Sequence, residues 1–216
     1  AELAYGELLL SGVTSLADLS SMSSWWIDLI ARSGLRGFIA PGFASSRWYM
    51  ENFHELKFNW NEEAGRKNFD KAIKFMSEAE AHPSGRLSGV IYPMQIDTCS
   101  EDLLRDCVAL AEETDRPITT HASQSQVEFL LMAKRHGISP IKWASNIGLL
   151  SPRTTLGHAI FVDEHPSIGW RTKEDVSLLV DSGTSVAHCP SPFARYGHAM
   201  ADFGRYRRAG VNLGFG

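Results

Sequence analysis

No run of apolar residues in this 216-residue chain is long enough to cross a bilayer as a helix. Basic charge is not in excess: 21 lysines and arginines stand against 25 aspartates and glutamates, a net charge of −4. A nucleic-acid backbone is therefore not favoured as a partner, although a single nucleobase would need no such charge. Cysteine is scarce. Cys99, Cys107 and Cys189 are odd in number and widely spaced, so they build neither a disulfide framework nor a Cys-x-x-Cys knuckle. A reducing cytoplasm is the simplest setting for them. No Gly-x-Gly-x-x-Gly follows the first strand pattern, which removes the best sign of a dinucleotide-binding fold. No internal repeat or low-complexity tract stands out, and "AELAYGELLLSG", with glutamates among its apolar residues, reads as a helix rather than a secretory leader.

What the chain has instead is alternation, on a hydrophobic content of 44% that allows a sizeable core. "AYGELLLSG" reads as an amphipathic helix closed by Gly12, "VTSLADL" as a strand, "SSWWIDLIARSG" as a helix closed by Gly34, and "LRGFIAPGF" as a second strand. A polar connection rich in aromatics follows, with Trp48, Tyr49, Phe53, Phe58 and Trp60. In the helix "GRKNFDKAIKFMSEAEAH", Phe69, Ile73, Phe75 and Met76 recur at roughly helical spacing. Strand "RLSGVIYPMQ", helix "SEDLLRDCVALAEETD" with Ser100 as its N-cap, strand "RPITTHAS" and helix "SQVEFLLMAKRHG" continue the pattern. A short helix, "SPIKWASNIGLL", precedes strand "TTLGHAIFV", helix "TKEDVSLLVDSG", strand "TSVAHCP", helix "MADFGRYRRAG" and a last strand, "VNLGFG".

Short apolar strands alternating with helices build parallel sheets buried on both faces. Seven such units in 216 residues match the spacing of a (β/α)8 barrel, about 250 residues when whole, better than an open doubly wound sheet. The expected fold is α/β: an incomplete (β/α)8 TIM barrel of about seven units over residues 1–216. The opening inside a helix and the stop on a buried-strand pattern read as a fragment of a longer protein.

In such barrels the chemistry sits at the C-terminal strand ends. Those positions hold Asp18, Gln95, His121, His158 and His188. One histidine there is ordinarily a hydrogen-bonded core residue. Three at equivalent places, in "PITTH", "TTLGH" and "TSVAH", point to a shared site. Neutral imidazoles converging on a barrel mouth suit a divalent transition metal or proton transfer.

"THASQSQVEF", "TTLGHAIFVDE", "AHCPSPFARYG" and "AGVNLGFG", in this order, resemble the amidohydrolase superfamily, in its cytosine deaminase, guanine deaminase and triazine hydrolase branch. The resemblance covers nearly the whole chain. It implies a hydrolase of C–N, or in some members C–Cl, bonds with one divalent metal, zinc first and iron second. The family holds that metal with a His-x-His pair on barrel strand one, a histidine on strand five and an aspartate on strand eight. His121 matches the strand-five ligand. His158 matches the strand-six histidine that contacts the activated water or the substrate. His188 matches the start of the family's His-Asn-Pro-x-Ser-Asn, which reads "HCPSPF" here. The remaining ligands have no counterpart in these residues.

Another departure bears on mechanism. Where family deaminases carry a proton-shuttling glutamate, this chain has Gln124. An amide cannot carry a proton near neutral pH, though it can hydrogen-bond a ring. The proton work is then expected of His158, with Glu128 and Asp163 as lesser candidates, Asp163 equally able to cap a helix. Glu128 lies one turn beyond Gln124 on the same helix face and reads as a solvated carboxylate. Gln95, His188 and Arg195 are the expected substrate contacts. Cys189, beside His188, reads as a buried thiol. The tryptophan pair Trp25–Trp26 and the aromatic connection either cover a flat heterocycle or pack a loop onto the barrel, and "GRYRRAG" reads as a solvated outer face. The expected protein is a cytoplasmic aminohydrolase of a small heterocyclic substrate that, as is common in the superfamily, forms a homo-oligomer. The alternative is a catalytically inactive barrel that binds a small heterocycle, which Gln124 and the altered "HCPSPF" favour.

Overall fold

Short apolar strands bury both faces only inside a helix-covered parallel sheet, and that is where the computed structural model places them; it describes every residue of the chain except Ser21, Ser24 and Phe53. In chain order the strands are β1 (Ser15–Ser20), β2 (Arg36–Phe43), β3 (Ser46–Met50), β4 (Leu56–Trp60), β5 (Leu87–Gly89), β6 (Tyr92–Pro93), β7 (Ile118–Ala122), β8 (Thr154–His158), β9 (Ser185–His188) and β10 (Leu213–Phe215). β1, β2 and β5 pair in parallel, and β6 continues the β5 line along β2. β7, β8, β9 and β10 pair in parallel in that order. Bridges Ile91–Ile118 and Gln95–His121 join the two halves. Each strand thus neighbours the next in sequence, as in a (β/α)8 barrel. Among the described residues β1 and β10 pair on one side only, so the barrel is incomplete.

The helices are α1 (Glu2–Leu10), α2 (Trp26–Ser33), α3 (Glu62–Glu80), α4 (Glu101–Thr114), α5 (Gln126–His136), α6 (Pro140–Asn146), α7 (Asp175–Ser182), α8 (Pro190–Ala194) and α9 (Phe203–Ala209). Their ends follow capping chemistry. Side chains of Asn61, Ser125, Ser139 and Asp202 accept first-turn amides of α3, α5, α6 and α9. Gly34, Gly137, Gly183 and Gly210 close α2, α5, α7 and α9 in the left-handed conformation. Ser100 occupies the N-cap of α4 but makes no side-chain cap bond; its Oγ lies 3.3 Å from that of Ser45. The main core runs between helices and sheet through Leu104, Ile118 and Leu156, all fully buried, each contributing about 1.5–3 kcal/mol of burial. No helix among the described residues is long and apolar enough to cross a membrane.

Four expectations change. The polar connection after β2 contains an antiparallel hairpin, β3 on β4, with Ser46 opposite Trp60 and Met50 opposite Leu56. Of its aromatics, Phe53 lies outside the described residues. α1 buries only Tyr5, leaving Leu3 and Leu10 exposed, so it lacks an amphipathic packing face. Asp18 sits inside β1 and faces the helix layer, where it accepts hydrogen bonds from Tyr5 Oη and, at 2.9 Å, from Trp26 Nε1. Trp26 is buried against Phe75, ring centroids 5.6 Å apart, and Trp25 is exposed; this pair packs a helix and covers no strand end.

Candidate active site

Strand register lines up the mouth. Gln95, His121, Gly157, Ala187 and Gly214 form one row across the sheet, with Ala122, His158, His188 and Phe215 one residue further on. His121 and His158 stack face to face, centroids 4.9 Å apart and planes 7° from parallel. Gly157 makes this possible: a Cβ there would stand 2.8 Å from Cδ2 of His121. The glycine therefore makes room for the neighbouring strand's imidazole.

His121 Nδ1 lies 2.8 Å from the carbonyl oxygen of Met94, which only a protonated Nδ1 satisfies, and the proton there leaves Nε2 with its lone pair free. Tyr92 sets its ring edge against the same imidazole, with its hydroxyl 3.4 Å from Nδ1. His158 is buried, and its Nδ1 has no hydrogen-bond partner among the described residues; the same is true of Nδ1 of His188. Phe193, from α8, closes over His158 at 4.3 Å between centroids, while Phe203 and Phe215 flank His188. Burial, and the adjacent imidazoles of His121 and His188, push His158 down to about 4. Burial also lowers His121, against its bond to Met94, and lowers His188. All three imidazoles are thus biased toward the neutral form, the one that coordinates metals and accepts protons. Among the described residues no three of His, Cys, Asp or Glu stand close enough to hold a metal ion unaided. The donor chemistry fits part of a ligand set: His121 is held toward the neutral form by burial, oriented by a carbonyl, and open at Nε2.

The backbone around His158 is unusual. His158 and the next residue, Ala159, have φ of 81° and 43°. The Ala159 amide donates to the Ala122 carbonyl at 3.0 Å, and Tyr206 Oη donates to the Ala159 carbonyl at 2.8 Å. These bonds overdetermine a turn that β8 would not adopt by itself.

The other expected site residues divide. Gln95 lies beside His121, half-buried, and lines a cavity of about 820 Å³ with Trp48, Asn59, Asn61 and Asn68. Gln124 is buried in the turn after β7, its Nε2 without a hydrogen-bond partner among the described residues. Asp163 is not brought to the mouth. Its carboxylate accepts Thr172 Oγ1 at 2.7 Å and the amides of Glu174 and Asp175, so it fastens the start of α7. Arg195 follows α8, exposed, and its guanidinium makes no hydrogen bond or ion pair among the described residues. Glu128 is the clearest correction: it is buried, not solvated, and accepts the amides of Ser123 at 2.7 Å and Gln124 at 2.8 Å. Burial and the nearby carboxylate of Asp97 raise its pKa, while the amide bonds oppose them. Cys189 is half-buried. The basic cluster on α9 is solvated as expected, with Arg205 and Arg208 paired to Glu164 and Asp202. Tyr92, Phe193 and the Met94 carbonyl had no sequence signal beyond closeness to a strand end.

The fold and this cluster together define a TIM-barrel protein with a histidine-lined mouth. The chain belongs to the amidohydrolase family, whose profile matches residues 1–216. It is 28% identical over 216 residues to the 5-methylthioadenosine/S-adenosylhomocysteine deaminase of Haloarcula marismortui, covering 100% of this chain and 45% of that protein. Its fold is similar to that of guanine deaminase from C. acetobutylicum with bound guanine, at a TM-score of 0.79 and 16% identity over 99% of this chain and 48% of the other. It is also similar to atrazine chlorohydrolase from Arthrobacter aurescens complexed with zinc, at a TM-score of 0.75 and 20% identity over 100% and 48%. The chain thus spans under half the length of the relatives it matches.

Proposed function

We propose that residues 1–216 form barrel strands two to eight of a metal-dependent aminohydrolase. The reaction replaces the amino group on an sp2 ring carbon of a flat nitrogen heterocycle with the oxygen of water and releases ammonia. An adenine-type ring is the first candidate, since the archaeal relative is named as a deaminase of adenosine derivatives. The observation that carries the proposal is the set of imidazoles at one mouth, biased to the neutral form and each with a nitrogen open to a ligand or proton. His121 would hold the divalent ion, zinc first and iron second, through Nε2, with ligands outside this chain completing the set. That ion supplies Lewis acidity, which brings the pKa of water from 15.7 to about 7.

The chain's own residues then do the rest. His158 holds and returns a proton at Nδ1, the work an amide at position 124 cannot do. Gln124 and Gln95 hydrogen-bond the ring and fix its orientation. Tyr92 and Phe193 keep water from the imidazoles they cover. His188 and, from the solvent side, Arg195 contact substrate oxygen or nitrogen. The free thiols fit a reducing cytoplasm, and a homo-oligomer is proposed on the resemblance alone.

The second reading, a barrel that binds a heterocycle without turning it over, is favoured by Gln124. Metal analysis of the full-length protein, followed by an ammonia-release screen on aminopurines, aminopyrimidines, pterins and triazines, decides between the two. Bound divalent metal with ammonia release supports the enzyme. Tight heterocycle binding without turnover, at full metal occupancy, supports the inactive barrel.

A further inference from the structure

Two consecutive backbone amides, Ser123 and Gln124, point at one side chain, Glu128, which is 1% exposed on the first turn of α5. Two such donors need two acceptor oxygens, which a carboxylate provides; a glutamine would turn its NH2 on one of them. The clamp holds Ser123 at a φ of 52°, in the left-handed region that side chains other than glycine's seldom adopt. So turned, the Ser123 carbonyl accepts the amides of Ile160 and Phe161, each at 2.9 Å. Those two residues directly follow His158 and Ala159, the left-handed pair at the end of β8. An unbroken chain of hydrogen bonds therefore runs from Glu128 through one peptide unit to the turn that aims His158. Gln124 is fixed by the same carboxylate, and His121 lies two residues before Ser123.

We infer that Glu128 is a positioning residue: through the Ser123 peptide it sets the direction of the His158 imidazole on the neighbouring strand, together with that of Gln124. Its effect on the reaction rests on the function proposed above; its effect on the imidazole does not. The test uses Glu128→Gln and Glu128→Asp in the full-length, metal-loaded protein, with far-UV circular dichroism, imidazole ¹H–¹⁵N spectra, kcat and KM measured on the same samples.

The expected result is a folded Glu128→Gln chain whose His158 imidazole resonances move. Its kcat should fall about 10–100-fold, the usual cost of losing a residue that orients a site, with KM little changed. Glu128→Asp keeps both oxygens on a shorter arm and should recover part of the loss. Unchanged His158 resonances in a folded Glu128→Gln chain would overturn the inference. Collapse of both variants would also overturn it, by making Glu128 a residue of the fold as a whole. If the unsubstituted protein turns over no substrate, the imidazole spectra still decide the question, so the two failures are distinguishable.

Discussion

His158 occupies a conformation that costs free energy. A left-handed backbone at a residue other than glycine is worth roughly 1–3 kcal/mol of strain, and here two such residues follow one another. The surrounding bonds from Ala159, Ile160, Phe161 and Tyr206 hold them there. Strain kept at a barrel mouth points to a working side chain. His158→Asn in the full-length protein is expected to lose about 10²–10⁴-fold in turnover while retaining its metal; lost metal would instead make His158 a ligand. Gly157→Ala tests the other half of the stacked pair. Its new Cβ would meet His121 at 2.8 Å, so metal affinity, measured by competition with a chelator, should drop about 10–100-fold; an unchanged affinity would remove His121 from the ligand set. The three histidines are legible in the sequence because a strand pattern repeats before each of them. Asp163 was legible only as one of two roles, proton carrier or helix cap, and Glu128 not at all. Their contacts depend on which turns fold back over them, and spacing along a helix or loop carries no record of that.

Elements were legible in proportion to how far their pattern was local. The seven parallel staves and their helices follow from apolar runs punctuated by glycine and by capping serine, asparagine or aspartate. The β3–β4 hairpin was hidden because "SRWYM" sets Trp48 and Tyr49 side by side, which breaks the alternation that marks a strand, and the segment is only partly buried. α8 was hidden for a different reason: two prolines in "PSPFA" read as a break, whereas one begins the helix. The hairpin is tied down by specific contacts. Trp48 Nε1 donates to the buried Asp97 carboxylate at 3.0 Å, and Arg135 lies 4.8 Å and 5.2 Å from the ring centroids of Phe58 and Trp60. The other Asp97 oxygen has no hydrogen-bond partner among the described residues. Trp48→Phe would therefore remove the carboxylate's side-chain hydrogen-bond donor, leaving it only its own backbone amide and the nearby charge of Arg135, at a cost of about 1–3 kcal/mol. Urea denaturation of the full-length protein should show that loss, and an unshifted midpoint would mean that the hairpin carries no stability through this bond.

At the scale of the whole molecule, buried carboxylates make stability depend on pH in an uncommon direction. Asp175 is fully buried between Ser139 Oγ and the Asp163 amide. Burial first, then the charge of Asp163, raises it from 3.8 to about 7, against the pull of those hydrogen bonds. The folded chain thus keeps a proton that the unfolded chain has already lost. The stabilisation from this group is complete below pH ~4 and disappears as pH rises through ~7. Unfolding measured across that window should show a component that falls with pH, and Asp175→Asn should flatten it; an unaltered slope would contradict the buried-acid account.

The central claim is that the histidines of this incomplete barrel belong to a metal-dependent aminohydrolase site, with His121 as a ligand. It is tested most directly by measuring divalent-metal content and ammonia release together on the full-length protein and its His121→Ala variant. The expected result is metal and turnover in the former and the joint loss of both in the latter. Full metal occupancy with undiminished ammonia release in His121→Ala would contradict it.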